Sequence, residues 1–305
     1  DLLAGTEDGV FDIFGKSFRH YRHDSRRGWS LQDNEIWCIY PDTDDNVWVG
    51  HERGLSVVSN SSTIRTVKLS TLTHSGEGND IYAIHKDRKG CLWLAGSNGV
   101  IRLREGFRSE WYRHTNSPGS ISHNRVRSML EDRQNRIWLA TDAGINRFAP
   151  GAGGFVSFHV TDSRSKHNTN WVYRMVEDGD SVWVGSFLGG IHLIGKSKLN
   201  GVGGTVVSDF SLNAESKLPG GNTVPNNFVN DMLRDKKGNL WVLLFQSNSL
   251  FRFNLPGKSL KRFDIYALAK EAPTHICMDR HGRVWCSFRG GVIVFNENGT
   301  YRIIR

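Results

Sequence analysis

Residues 135–148 read NRIWLATDAGINRF: an apolar strand-like run around a tryptophan, a small-residue turn, and a second apolar run. The same arrangement comes back as DNVWVGHERGLSVV from Asp45, GCLWLAGSNGVIRL from Gly90, DSVWVGSFLGGIHL from Asp180, GNLWVLLFQSNSLFRF from Gly238 and GRVWCSFRGGVIVF from Gly282. A degenerate copy, DLLAGTEDGVFDIF, opens the chain.

With the tryptophan as marker (Trp48, Trp93, Trp138, Trp183, Trp241, Trp285, and Leu3 in the first copy), the steps are 45, 45, 45, 45, 58 and 44 residues. Glycine stands six residues after the marker at Gly9, Gly54, Gly99, Gly144, Gly189 and Gly291, with Ser247 as the exception. Aspartate precedes the tryptophan by six at Asp42, Asp87, Asp132, Asp235 and Asp279, and by five at Asp178. Eight residues earlier comes asparagine at Asn34, Asn79, Asn124, Asn170 and Asn227, with Glu271 in the last copy. A period near 45 suits propeller blades or paired helices. The apolar runs are too short for helices and rich in Val, Ile, Phe and Trp, which selects strands. Each unit reads as four strands, a to d; in the fourth copy they are 126–131, 136–141, 144–148 and 154–160. Seven such units predict an all-β, seven-bladed β-propeller of four-stranded antiparallel blades filling residues 1–305 as one domain. The tryptophan of strand b is then a wedge between neighbouring blades. The Asp and Asn series read as hydrogen-bonding anchors of the loops around strand a.

The first copy starts at strand b, so one blade is expected to lack a strand, and its exposed edge needs covering by a strand of a longer parent chain. The long fifth step carries an insertion, Gly195–Asn227, rich in Gly, Ser and Lys. It is expected as a surface loop or extended hairpin, with ligand contact and disorder both open.

The net charge is +8 and the pI about 9.4, which favours a polyanionic partner, yet no block of five or six basic residues occurs, so no nucleic-acid contact is expected. No run of eighteen apolar residues is present, and the chain begins at Asp1, as a mature or excised piece would. No CxxC, P-loop, Rossmann glycine pattern or HExxH occurs, so no metal, cofactor or catalytic residue is expected. Cys277 and Cys286 flank the turn MDRHGRV, which leaves a cross-hairpin disulfide or two buried thiols open.

SHNRVRSMLEDRQNRIWLATDAGINRF resembles the two-component regulator propeller repeat: an Asn-containing loop, an apolar strand, Glu-Asp, a turn, Trp-x-Gly-Thr and Gly-Leu. GNDIYAIHKDRKGCLWLAGSNGVIRL and NNFVNDMLRDKKGNLWVLLFQSNSLFRF are similar to the same pattern, and the resemblance covers the whole chain. The first copy departs by lacking Trp, and the sixth by Ser247 and VLLFQ. The resemblance implies the periplasmic part of a hybrid two-component sensor histidine kinase, of the Bacteroidetes type that senses glycan fragments and controls polysaccharide-utilisation genes. It implies a non-enzymatic fragment, a homodimer formed through the parent chain, and a membrane reached only through a missing segment.

In such a propeller the d–a loops and b–c turns meet at one mouth. Five residues before each aspartate stand Trp37, Tyr82, Arg127, Tyr173, Asn230 and Thr274, where a structural position would be aliphatic. The b–c turns add Glu52, Arg53, Asp142, Gln246 and Arg289; the d–a loops add Arg26, Arg27, Trp29, His123, His167 and Trp171. Aromatic faces stack on sugar rings and Arg clamps carboxylates or sulfates. The candidate ligand residues are therefore Arg127, Arg53, Arg289, Tyr82, Tyr173, Trp37, Trp171 and Gln246, and the expected ligand is an oligosaccharide, acidic ones included. Inter-blade packing is the structural reading of the same rings. Two alternatives stay open: a propeller-fold polysaccharide or streptogramin-type lyase, with Tyr173, Arg174 or His167 as catalytic groups, and a protein-interaction scaffold.

Overall fold

The computed structural model describes residues 2–14, 17–59, 61–73, 80–104, 106, 108–163, 167–212, 214, 224–254 and 259–304. Seven sheets succeed one another as the blades of a seven-bladed β-propeller. Five are four-stranded antiparallel meanders in the order a-b-c-d, and the first has three strands, Leu2–Thr6, Gly9–Phe14 and Ser17–Tyr21. In the fourth blade the strands are Val126–Glu131, Ile137–Thr141, Gly144–Ala149 and Gly154–Thr161, within one residue of the sequence reading. Two single-turn helices, Leu69–Thr73 and Ile265–Ala269, interrupt the all-β pattern after strand d of the second and sixth blades.

The aspartate six residues before each tryptophan holds the a–b turn and the indole together. Its Oδ2 accepts from the indole Nε1 in the pairs Trp48–Asp42, Trp93–Asp87, Trp138–Asp132, Trp241–Asp235 and Trp285–Asp279, at 2.8–2.9 Å. Its Oδ1 accepts from the backbone N–H groups two and four residues on, as with Gln134 and Arg136 on Asp132. In the fifth blade the turn is one residue shorter and Asp178 still accepts from Trp183 at 3.0 Å. The tight turns put Asp45, Gly90, Asn135, Gly238 and Gly282 at positive φ, as residues of this type permit.

The asparagines also fasten one blade to the next. The carbonyl of Asn124 accepts from Gly99 N–H at 2.6 Å while its side chain accepts from His114 N–H at 2.7 Å. Asn34 does the same for Gly9 and His23, and Asn170 for Gly144 and Val160. Asn79 lies outside the described residues. Gly99 and Gly144 have φ near 100°, and a Cβ on either would collide with the strand-d carbonyl of Tyr112 or Phe158. Only glycine fits there. The fifth copy corrects the spacing rule: Gly190, with φ of 82°, fills this role and bonds Asn227, whereas Gly189 has ordinary φ.

Two further expectations change. The insertion is not a plain loop or hairpin. It forms a 3-10 turn at Lys196–Leu199 and then strand Gly204–Val207, which pairs parallel with residues 158–161 as a fifth strand of the fourth blade. It returns as Phe210–Leu212, the short strand d of the fifth blade. The disorder alternative for Gly195–Asn227 does not hold for Lys196–Leu199, Gly204–Val207 and Phe210–Leu212, which form these elements, and residues 213 and 215–223 lie outside the described residues. Cys277 and Cys286 are free thiols. The register pairs Cys277 with Trp285 and Ile276 with Cys286, so the two thiols point to opposite faces of the sheet.

The chain divides into two compact units, residues 1–142 with 146–156, and residues 143–145 with 157–305. In the first, Trp93 is fully buried among Val126, Ile137, Leu139 and Phe155 of the next blade. In the second, Trp183 packs with Leu240, Val242 and Phe251, and Trp241 with Val284, Ile293 and Phe295. These three indoles are thus wedges, as the repeat requires.

Candidate functional site

Strand a of blades two to seven, Ile36–Pro41, Ile81–Lys86, Val126–Glu131, Val172–Asp178, Val229–Arg234 and Pro273–Met278, pairs with strand b through a register shift at its start. The shifts fall between Ile36 and Cys38, Ile81 and Ala83, Val126 and Ser128, Val172 and Arg174, Val229 and Asp231, and Pro273 and His275. The residue skipped is in turn Trp37, Tyr82, Arg127, Tyr173, Asn230 and Thr274. All six candidate positions on strand a are therefore β-bulges. A bulge leaves one residue out of the ladder and re-aims its side chain.

In the first unit the bulged residues form a row. The Trp37 ring, 48% exposed, meets Tyr82 edge-on at 5.6 Å, and the Arg127 guanidinium lies 5.9 Å from the Tyr82 ring centroid. Arg127 also forks Asp142, Nε to Oδ1 at 2.8 Å and Nη2 to Oδ2 at 3.1 Å. The Tyr82 hydroxyl donates to Asp80 at 3.0 Å; burial and then this bond push its pKa up to about 12, so it remains a donor. Arg53 pairs with Asp33 at 3.1 Å, apart from this row. Burial and then the charges of Glu52, Asp33, Glu7 and Asp80 push the Glu35 carboxyl up. Carboxylates thus gather at this end of the unit despite the chain's positive charge, and two of the three arginines expected as anion clamps, Arg127 and Arg53, already hold carboxylates.

In the second unit the same end is aromatic. Tyr173 stacks on Phe187 at 5.1 Å and 21°, and Phe187 on Phe228 at 5.3 Å and 22°. Trp171 and Phe245 meet Phe187 at 4.8 and 5.9 Å. Phe245 is 46% exposed. Trp171 Nε1 is buried without an acceptor among the described residues. Gln246 is exposed at φ of 56° beside Phe245, and Arg289 is exposed on the last b–c turn. Arg174 donates to the buried Asp231 at 2.7 Å, and His275 Nδ1 lies 2.6 Å from the same carboxylate. Burial pushes the Asp231 carboxyl up, but Arg174 and His275 outweigh it and hold the pKa at about 2.

The structure thus brings Trp37, Tyr82 and Arg127 together in one unit, and Trp171 and Tyr173 in the other. Phe187, Phe228 and Phe245 were missed by the sequence reading. The repeat carried the signal: they occupy the positions four after the tryptophan and one after the asparagine. Of the groups considered for lyase chemistry, Arg174 is engaged by Asp231 and Tyr173 is stacked, while His167 is exposed. Among the described residues no group of three or more His, Cys, Asp or Glu has metal-holding geometry, and no helix is long and apolar enough to cross a membrane.

A fold of Trp-wedged four-stranded blades with bulged strand starts defines a repeat β-propeller. Residues 30–53, 75–98, 120–143 and 223–245 match the family described as two component regulator propeller. The chain is similar to the extracellular domain of the putative hybrid two component system BT4673 from B. thetaiotaomicron, at 31% identity and a TM-score of 0.72, covering 99% of this chain and 41% of that one. It therefore spans well under half of that relative. Virginiamycin B lyase from Staphylococcus aureus, at 14% identity and a TM-score of 0.66, covering 88% of this chain and 83% of the lyase, shares the fold alone. No curated protein sequence matches the chain.

Proposed function

We propose that this chain is the periplasmic ligand-sensing part of a longer hybrid two-component sensor histidine kinase, and that it binds an oligosaccharide at the bulged starts of its a strands to control polysaccharide-utilisation genes. One observation carries the reading. At each of the six described bulges the residue left out of the ladder is aromatic or polar rather than aliphatic. The filled fork of Arg127, the pairing of Arg53 with Asp33 and the carboxylates around Glu35 favour a neutral glycan over an acidic one. The similarity to the extracellular domain of a putative hybrid two component system supports the location and the sensor role. We read the domain as non-catalytic, and as a homodimer through its parent chain. Signalling then requires that the bound glycan favour one docking state of the parent over another.

Calorimetric titration with neutral gluco-, manno-, galacto- and xylo-hexaoses and with oligogalacturonate tests this. Binding of one neutral hexaose, with no rise in ultraviolet absorbance from unsaturated product, is the expected result. Binding of oligogalacturonate alone contradicts the neutral assignment, and its conversion to unsaturated product makes the protein a lyase.

A further inference from the structure

The repeat allows each mouth position to be compared across blades that share one backbone. The residue four after the tryptophan donates its N–H to the carbonyl of the residue after the asparagine: Ser97 to Asp80, Asp142 to Arg125, Phe187 to Trp171 and Phe245 to Phe228. These four pairs occupy the same place in blades three to six. In blades three and four they are polar, and Arg125 and Asp142 make a 3.7 Å ion pair. In blades five and six all four residues are aromatic. The fold does not require aromatic rings there, since neighbouring blades close the same hydrogen bond with Ser97 and Asp142. Tyr173 adds its ring from the bulge between them, and Phe187 touches the other four. Trp171 sits in this cluster with its ring 4.8 Å from that of Phe187.

We infer that Trp171, Tyr173, Phe187, Phe228 and Phe245 form a stacking platform for the C–H face of a neutral pyranose ring. This rests on the oligosaccharide reading above and gives it a place. The electron-rich ring faces suit the polarised C–H bonds of a sugar, and rings lose little freedom on binding. Polar groups stand beside the platform where hydroxyls need partners: the exposed Gln246 next to Phe245, and the Asn230 side chain, which donates to the Thr274 carbonyl at 3.1 Å. An aryl ligand would leave those groups unused.

The test uses the whole chain, the same neutral hexaoses, and the variants Phe245→Ala, Phe187→Leu and Trp37→Ala. Phe245 is half exposed and Phe187→Leu keeps most of the apolar volume, so both variants are expected to fold, checked by far-ultraviolet circular dichroism. The hexaose that binds the wild type is expected to lose tenfold or more in affinity with Phe245→Ala and with Phe187→Leu. If affinity falls with Trp37→Ala and stays at the wild-type level in both Phe variants, the platform is refuted while the oligosaccharide reading stands. If no hexaose binds the wild type, both fall. If p-nitrophenol binds and no hexaose does, the site takes aryl groups and the sugar assignment is overturned.

Discussion

Replacing Asp132 by Ala removes the acceptor on which the fourth a–b turn and its indole both depend. The Asp132 carboxylate is fully buried and accepts four bonds: Trp138 Nε1 at 2.9 Å, Arg136 Nε at 2.6 Å, Gln134 N–H at 2.9 Å and Arg136 N–H at 3.0 Å. Burial pushes this carboxyl up, but those bonds outweigh it and hold its pKa below the usual aspartate value. Trp138 is fully buried, so its stranded N–H costs about 1–3 kcal/mol. The two turn N–H groups can find water, and each forfeits about 0.5–1 kcal/mol net. Arg136 is partly exposed and keeps its hydration, so its pair adds no more than about 1 kcal/mol. The sum is about 2–6 kcal/mol, a large part of the ~5–15 kcal/mol typical of a folded domain. Urea unfolding followed by tryptophan fluorescence measures it. Asp42→Ala, whose partner Trp48 is only half-buried, is the internal comparison and is expected to lose less. A loss for Asp132→Ala within about 1 kcal/mol of zero, or equal losses at the two sites, would refute the argument that burial of the indole donor sets the size of the effect.

Acid stability follows from the same carboxylates. The pKa values of Asp231 and Asp279 are lowered to about 2 in the folded chain, against about 3.9 unfolded. Their stabilisation is therefore complete above about pH 5 and is lost as the pH falls through 4 towards 2; the urea midpoint should drop between about pH 5 and 2.5, and Asp279→Asn should flatten that drop. Four thiols per chain should titrate in denaturant without reductant, and a single missing pair would restore the Cys277–Cys286 disulfide. In the native chain Cys277 should be alkylated first, because burial shields Cys286 and pushes its thiol, like that of Cys38, up to about 12. Gly144→Ala should cost about 1–3 kcal/mol, from positive φ and the Phe158 carbonyl, whereas Gly151→Ala, with open space around it, should be near neutral in the same urea assay.

The blades were legible because their determinants lie close together in the chain. The Trp–Asp spacing, the glycine ahead of strand c and the turn residues all act within one repeat, and strands were placed to within a residue from Val126 to Thr161. What escaped depends on pairing between segments. A bulge at Arg127 exists only relative to the register of Ile137–Thr141, which apolar alternation does not reveal. The Gly204–Val207 strand was hidden because its partner lies some 45 residues earlier and in another blade. The arginines were read by residue type alone, and the carboxylates that occupy them, Asp142 and Asp33, come from other loops. Phe187 and Phe245 were passed over for a different reason: an aromatic residue after an apolar strand looks like more core until its repeat position is compared with Ser97 and Asp142.

The strand Gly204–Val207 also sets an order of assembly. Residues 158–161 emerge from the ribosome well before the segment that shields their outer edge, and the chain must finish most of the fifth blade before that segment arrives. Until then the fourth blade exposes a free β edge, so a nascent chain stalled between residues 161 and 204 should be the form most prone to chaperone capture or to pairing with a neighbouring polypeptide.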